Sequence, residues 1–137
     1  MAELPLTGGC LCEAVRYEIT EPLVSSGYCH CHRCQKRSGA AASPQARIAP
    51  GSMRLLSGEE HIRGWQPPGD GWAKYFCSNC GSQLWSQSPD GEIRAVRLGT
   101  FDGDPGIRPA DRQWLSSAAP WEAVPDDGLA HFDGPRS

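Results

Sequence analysis

Seven cysteines carry most of the chemical content of this 137-residue chain, at positions 10, 12, 29, 31, 34, 77 and 80. They form three units: Cys10-Leu11-Cys12, Cys29-His30-Cys31-His32-Arg33-Cys34 and Cys77-Ser78-Asn79-Cys80-Gly81. An odd number cannot pair completely into internal disulfides. Clustered thiols in a reducing compartment bind metal or do redox chemistry more often than they cross-link. In an extended chain residues i and i+2 face the same way, so each C-x-C can present both sulfurs to one ion. C-x-x-C followed by glycine is a zinc-knuckle pattern, whose tight turn aims backbone N–H groups at the sulfurs and needs a positive φ at Gly81. No βαβ pattern surrounds Cys77 and Cys80, which argues against thioredoxin-like redox work.

Zinc suits this set. A structural zinc is closed by four protein ligands, whereas a catalytic zinc keeps three and leaves one position for water or substrate. The seven cysteines divide naturally as four plus three. The second unit alone offers Cys29, Cys31 and Cys34 within six residues, which makes it the natural open site. Cys10, Cys12, Cys77 and Cys80 would then combine into a closed site. Other partitions stay open, including one in which His30 or His32 joins the three cysteines and completes a second closed site. Three thiolates bring formal charge −3 against the ion's +2, which mutes its Lewis acidity and suits it to holding a further thiolate. Arg33, Lys36 and Arg37 stand beside the open site and form a candidate anion clamp, with a solvated basic face as the alternative. His30 and His32 could move protons near neutral pH or merely orient their neighbours.

The elements that must position these groups read as mostly β. Val15, Tyr17 and Ile19 alternate with Arg16 and Glu18, predicting a half-buried strand over Cys12–Thr20 that Glu21-Pro22 stops. Val24 to Cys31 is a second extended piece leading into the central cysteine unit. The expected helix is short, lies within His32–Ala42 and is closed by Ser43-Pro44, with Ser38 and Gly39 serving its end. Arg47–Leu56 is expected to hold one or two strands around Pro50-Gly51. Gly64–Gly71 reads as loop. Trp72–Phe76 and Ser82–Gln87 are the arms of a hairpin around the third cysteine unit, and Glu92–Leu98 is a further strand. The tail from Phe101 is rich in Gly, Pro and Asp, and its Trp114, Trp121 and Phe132 predict ordered loop and short strand wrapped on the domain. Trp65, Trp72, Trp85, Trp114 and Trp121 are expected in the core or in a pocket wall.

Composition sets the outer bounds. The chain is 39% hydrophobic and 21% charged, with 16 Gly and 12 Pro, too loop-rich for a helical bundle. One domain over residues 1–137 fits this length. A net charge of −3 argues against general nucleic-acid binding, which favours a basic surplus. No apolar run approaches the ~20 residues of a membrane-spanning helix. The opening Met1-Ala2-Glu3-Leu4-Pro5 lacks the basic and apolar regions of an export signal. The expectation is a cytoplasmic protein with no nucleic-acid, membrane or obligate protein partner. There is no Ser/His/Asp spacing and no phosphate loop.

Three stretches together resemble the glutathione-dependent formaldehyde-activating enzyme family, whose relatives include centromere-protein-V-like proteins. They are Gly8-Gly9-Cys10-Leu11-Cys12, Cys29-His30-Cys31-His32-Arg33-Cys34-Gln35-Lys36-Arg37-Ser38-Gly39-Ala40 and Phe76-Cys77-Ser78-Asn79-Cys80-Gly81-Ser82. Ala119-Pro120-Trp121, Gly128-Leu129 and Phe132-Asp133-Gly134 are similar to the family's C-terminal signature. The resemblance implies a β-tent of small antiparallel sheets around zinc. It implies Cys10, Cys12, Cys77 and Cys80 as structural ligands, and Cys29, Cys31 and Cys34 as catalytic ligands. It also implies condensation of formaldehyde with glutathione to S-hydroxymethylglutathione, a carbon–sulfur lyase reaction in its reverse sense. A glutathione carrier or a non-catalytic zinc binding module is the alternative on the same scaffold. Glu13 stands where the family commonly has Gly, Lys74-Tyr75 where an Arg is frequent, and Asp111-Arg112-Gln113 where relatives often carry a His. These departures leave the ligands intact and bear on the identity of the electrophile.

Overall fold

The structure is a computed structural model that describes residues 3–69 and 71–136. Met1 and Ala2 of the opening segment and Asp70 of the expected loop lie outside the described residues. Among the described residues there are eleven strands and one α-helix, the mostly β composition with one short helix that the sequence predicts.

The strands are β1 (Leu6–Gly9), β2 (Arg16–Ile19), β3 (Ser25–Cys29), β4 (Ser43–Arg47), β5 (Met53–Ser57), β6 (Ile62–Trp65), β7 (Ala73–Cys77), β8 (Gln83–Gln87), β9 (Ile93–Arg97), β10 (Asp111–Gln113) and β11 (Ala130–His131). The helix, α1, is His32–Ser38. A three-stranded sheet has the order β1-β2-β5 and an eight-stranded sheet the order β11-β10-β3-β4-β9-β8-β7-β6. Neighbours are antiparallel except around β10, which runs parallel to both β3 and β11. The tail thus extends the larger sheet through short strand and loop, as expected.

The alternation around β2 decides where the core lies. Val15, Tyr17 and Ile19 are fully buried while Arg16 and Glu18 face outward. Tyr17 sits between the sheets, edge-on to Trp85 at 6.3 Å and to Phe101 at 5.9 Å, with Leu84 and Val96 completing the packing. Such aromatic pairs add roughly 0.5–1.5 kcal/mol beyond the area they bury.

Four boundaries differ from the sequence reading. Cys10 to Val15 is a turn rather than the start of a strand: Cys10 N–H donates to Val15 O at 3.1 Å and Glu13 N–H to Cys10 O at 3.1 Å. Glu13 there holds φ 68, left-handed backbone that favours glycine. Secondly, α1 ends at Ser38, and Ser43-Pro44 opens β4 instead of closing a helix. Val24 N–H donates to Arg47 O, so alternate residues 43, 45 and 47 face β3. Pro44 faces the other edge, where pairing with β9 begins only at Gln45, and its missing N–H costs no ladder bond. Thirdly, β4 ends at Arg47, leaving β5 alone on the far side of Pro50-Gly51. Fourthly, β6 carries Gly64 and Trp65 into register with β7, so the loop begins at Gln66.

Candidate metal centre and substrate cleft

Two sulfur clusters form. Cys10, Cys12, Cys77 and Cys80 gather in one, and Cys29, Cys31 and Cys34 in the other, each with its sulfurs within 4.8 Å of one another. The first joins the β1–β2 turn to the β7–β8 hairpin. Cys10 and Cys12 reach it from a turn, not from extended chain. At the hairpin, Gly81 takes φ 80 and its N–H donates to Cys77 O at 2.7 Å, the tight turn that the C-x-x-C-G pattern requires. Tetrahedral zinc with Zn–S of ~2.3 Å spaces its sulfurs by ~3.8 Å. The Cys10–Cys12 and Cys12–Cys77 sulfur separations of 3.5 and 3.9 Å bracket that value. Donors already face these sulfurs: Val15 N–H to Cys10 Sγ at 3.2 Å and Asn79 Nδ2 to Cys12 Sγ at 3.2 Å. The residues fit a tetrahedral thiophilic ion.

The second cluster is built at a strand-to-helix junction. Cys29 is the buried last residue of β3, and Cys31 is the extended N-cap of α1, its sulfur accepting from Cys34 N–H at 3.3 Å. Cys34 comes back one turn later on the helix. Ser38 Oγ donates to Cys34 O at 2.7 Å and Gly39 closes the helix end, the roles expected of both. Among the described residues no His, Asp or Glu joins this trio as a fourth donor. His30 is buried and turned away, its Nε2 meeting Arg112 Nη1 at 3.2 Å. His32 stands at the cleft wall without joining the sulfurs. A closed site completed by either histidine has no support in this geometry.

Crowding sets the electrostatics. Burial pushes the Cys10 thiol up to about 11, while the Ser82 hydroxyl beside Cys80 brings that thiol down to about 5. In the trio, Cys29 and then Cys34 hold Cys31 far below the ordinary thiol range. Cys29 and then Cys31 drive Cys34 far above it. Three sulfurs this close cannot all ionise without a cation among them, and a divalent ion taking their lone pairs would release the protons.

The trio opens on a cleft of about 490 Å³. Its wall carries five cationic side chains, Arg33, Arg37, Arg47, Lys74 and Arg97, and no carboxylate among the described residues. Arg33 and Arg37 are the two predicted clamp residues that reach it; Lys36 lies on the exposed side of α1. Arg33 Nη2 also donates to Pro68 O at 3.2 Å, joining α1 to the loop after β6. Arg47 stacks its guanidinium on Trp72 at 4.9 Å, and Trp114 also lines the cleft. Trp85 is in the core, as expected. Trp65 and Trp121 are 52% and 66% exposed, contrary to expectation, because one sits on the edge strand β6 and the other in a turn outside every strand.

Both clusters lie within the reach of a family match. The family model of the glutathione-dependent formaldehyde-activating enzyme matches residues 5–117. The chain belongs to that family. Membership supports a glutathione-dependent, formaldehyde-activating type of function, with cysteine clusters suited to zinc and with glutathione and formaldehyde as small-molecule partners. A crystal structure of a Rhodobacter sphaeroides protein superposes with TM-score 0.58 over 92% of this chain and 98% of the other, at 23% identity. That likeness speaks to the fold. No curated protein shows a significant match. No helix among the described residues is long and apolar enough to cross a membrane.

Sequence reasoning missed Arg47, Lys74, Arg97 and Gln45, which reach the cleft from β4, β7 and β9. It also missed the Asp127–Arg112–His30 chain. Arg112 donates to Asp127 Oδ2 at 2.8 Å and covers the Tyr28 ring at 4.4 Å. One signal was present: Arg97 ends the otherwise apolar run Ala95-Val96, an expensive place for a charge.

Proposed function

We propose that this family member catalyses the reversible addition of glutathione to formaldehyde, giving S-hydroxymethylglutathione, with Cys29, Cys31 and Cys34 as ligands of an open zinc site. The observation that carries this reading is the trio without a fourth protein donor, set in the wall of a cationic cleft. A zinc ion held there would supply the positive charge that keeps a visiting thiol ionised at neutral pH. Cys10, Cys12, Cys77 and Cys80 would hold a second, structural zinc that ties the β1–β2 turn to the β7–β8 hairpin within one domain.

The chain's own residues do the binding and the shielding. Glutathione carries two carboxylates, and Arg33, Arg37, Arg47 and Lys74 offer them charge-assisted hydrogen bonds along the wall. Trp72 and Trp114 narrow the cleft around the thiol arm and exclude water, which strengthens each of those contacts. The thiolate sulfur attacks the formaldehyde carbon, the carbonyl electron pair moves to oxygen, and that oxygen takes a proton from solvent. No disulfide joins the seven cysteines, which suits a reducing compartment such as the cytoplasm.

Metal counting tests the assignment. Wild-type protein should carry two zinc ions per chain. Cys29→Ser should carry one, keep its far-UV circular dichroism and lose turnover. A variant that retains both ions and full turnover contradicts the open-site assignment. Wild-type turnover no faster than the spontaneous reaction would favour a glutathione carrier.

A further inference from the structure

The cations of the cleft are graded by depth. Arg33 and Arg47 are exposed at the rim, Arg37 and Lys74 are half-buried, and Arg97 lies at the floor, 8% exposed. The rim and middle suffice for a tripeptide's two carboxylates. Formaldehyde is neutral and needs no cation at all. Yet the floor holds a guanidinium whose desolvation is costly unless an anion meets it.

Among the described residues Arg97 has only neutral hydrogen-bond partners, and the anionic groups that act on it are the Cys34 and Cys29 sulfurs. Its Nη1 donates to Gln45 Oε1 at 3.1 Å and its Nη2 to Ser86 Oγ at 3.0 Å. Its buried Nε–H finds no acceptor among the described residues, and each terminal nitrogen retains a second hydrogen. The same Gln45 amide reaches Cys34 Sγ with its Nε2 at 3.9 Å. One side-chain amide therefore spans the gap between a sulfur of the open site and the guanidinium. Cys29, Cys31, Cys34 and Arg97 line the same cleft, so an electrophile reacting beside the sulfurs shares that space with the guanidinium.

We propose that the cleft accepts short aldehyde acids, with the carboxylate directly on the carbonyl carbon, and that Arg97 binds that carboxylate. This rests on reading the trio as a site of thiol addition to aldehydes. With glyoxylate the step is the same addition: the glutathione sulfur bonds to the aldehyde carbon, the carbonyl pair moves to oxygen, and the thiol's proton ends on that oxygen. The product is the hemithioacetal bearing an intact carboxylate, and nothing is oxidised or reduced. Removing the substrate charge should weaken its transition state about 10- to 100-fold, the loss typical of one charge-assisted contact.

Exchange NMR with the zinc-loaded protein and glutathione tests this, each aldehyde being scored as acceleration over its own spontaneous rate. Glyoxylate should be accelerated at least 10-fold more than glycolaldehyde, its uncharged counterpart. In Arg97→Gln the glyoxylate-to-formaldehyde ratio should fall about 10- to 100-fold, and Arg97→Lys should restore part of it. Formaldehyde accelerated with glyoxylate no better than glycolaldehyde overturns the proposal and leaves the formaldehyde reading standing. Equal losses for both aldehydes in Arg97→Gln overturn it too, since the arginine would then serve the charge of the sulfurs. No acceleration of any aldehyde removes the underlying reading and the proposal with it. The wild-type comparison decides even where the variants fail to fold.

Discussion

Arg37 comes from α1, one turn after Cys34, and faces the cleft with its guanidinium half-buried. Burial lowers its pKa, and the nearby Cys34 partly offsets that shift; an incoming carboxylate would do the same. Arg37→Ala should raise KM for glutathione about 10-fold while changing kcat little, because a carboxylate far from the reacting atoms is held equally in both states. Glutathione diethyl ester, which lacks both carboxylate charges, should show no difference between wild type and variant. Equal effects on the ester would show that Arg37 acts on the scaffold. A second single-residue expectation concerns the backbone. Glu13 sits at φ 68 in the turn that brings Cys10 and Cys12 together. Glu13→Gly should stabilise the protein by about 0.5–1 kcal/mol, the left-handed strain relieved less the added chain entropy of glycine. Chemical denaturation reads this directly, and a loss of stability would contradict it.

The hairpin of β7 and β8 carries Cys77 and Cys80, half of the four-cysteine cluster. Gly81 at its tip has open space around the position of a Cβ, but its φ of 80 strains any other residue. Gly81→Ala should cost about 1–2 kcal/mol and weaken zinc retention in the four-cysteine site, leaving the three-cysteine site loaded. Zinc content and thermal melting together check this. The turn was readable from C-x-x-C-G because local geometry alone demands a glycine there. The Val15, Tyr17, Ile19 face was equally readable, since period-two burial needs only local pattern. The helix was readable as short but not in extent: its stop is set by Gly39, and Ser43-Pro44 beyond it pairs with β3 through contacts that no local rule contains. The three cysteines 29, 31 and 34 declared themselves by spacing. Their cationic surroundings did not, because Arg47, Lys74 and Arg97 come from strands remote in sequence, whereas Lys36 is adjacent in sequence and points elsewhere. Trp121 misled for the opposite reason: hydrophobicity predicted burial, and no strand lies over its turn.

Across the whole molecule the tail clasps the sheet that bears the three-cysteine cluster. Gln35 donates from α1 to His30 O and to Ser117 O, both at 2.7 Å. His30 N–H donates to Gln113 O at 3.0 Å, and Arg112 is held by Asp127. The Arg112 guanidinium keeps the Asp127 carboxyl below the usual carboxylate range. A carboxyl depressed on folding contributes stability above its unfolded pKa of about 3.9, and the contribution fades as pH falls through the folded value. The stability difference between wild type and Asp127→Asn should therefore be full at pH 7 and shrink below about pH 4 in urea unfolding. A difference that grew with acid would contradict the pairing. The proposed chemistry rests on the gap that Cys29, Cys31 and Cys34 would leave for a visiting thiol around a bound ion. Exchange NMR of a glutathione and formaldehyde mixture probes that gap most directly. Zinc-loaded wild type should speed interconversion of free glutathione and its hydroxymethyl adduct well beyond the spontaneous rate, and Cys29→Ser should not. Identical exchange rates with and without ample zinc-loaded protein would contradict the account.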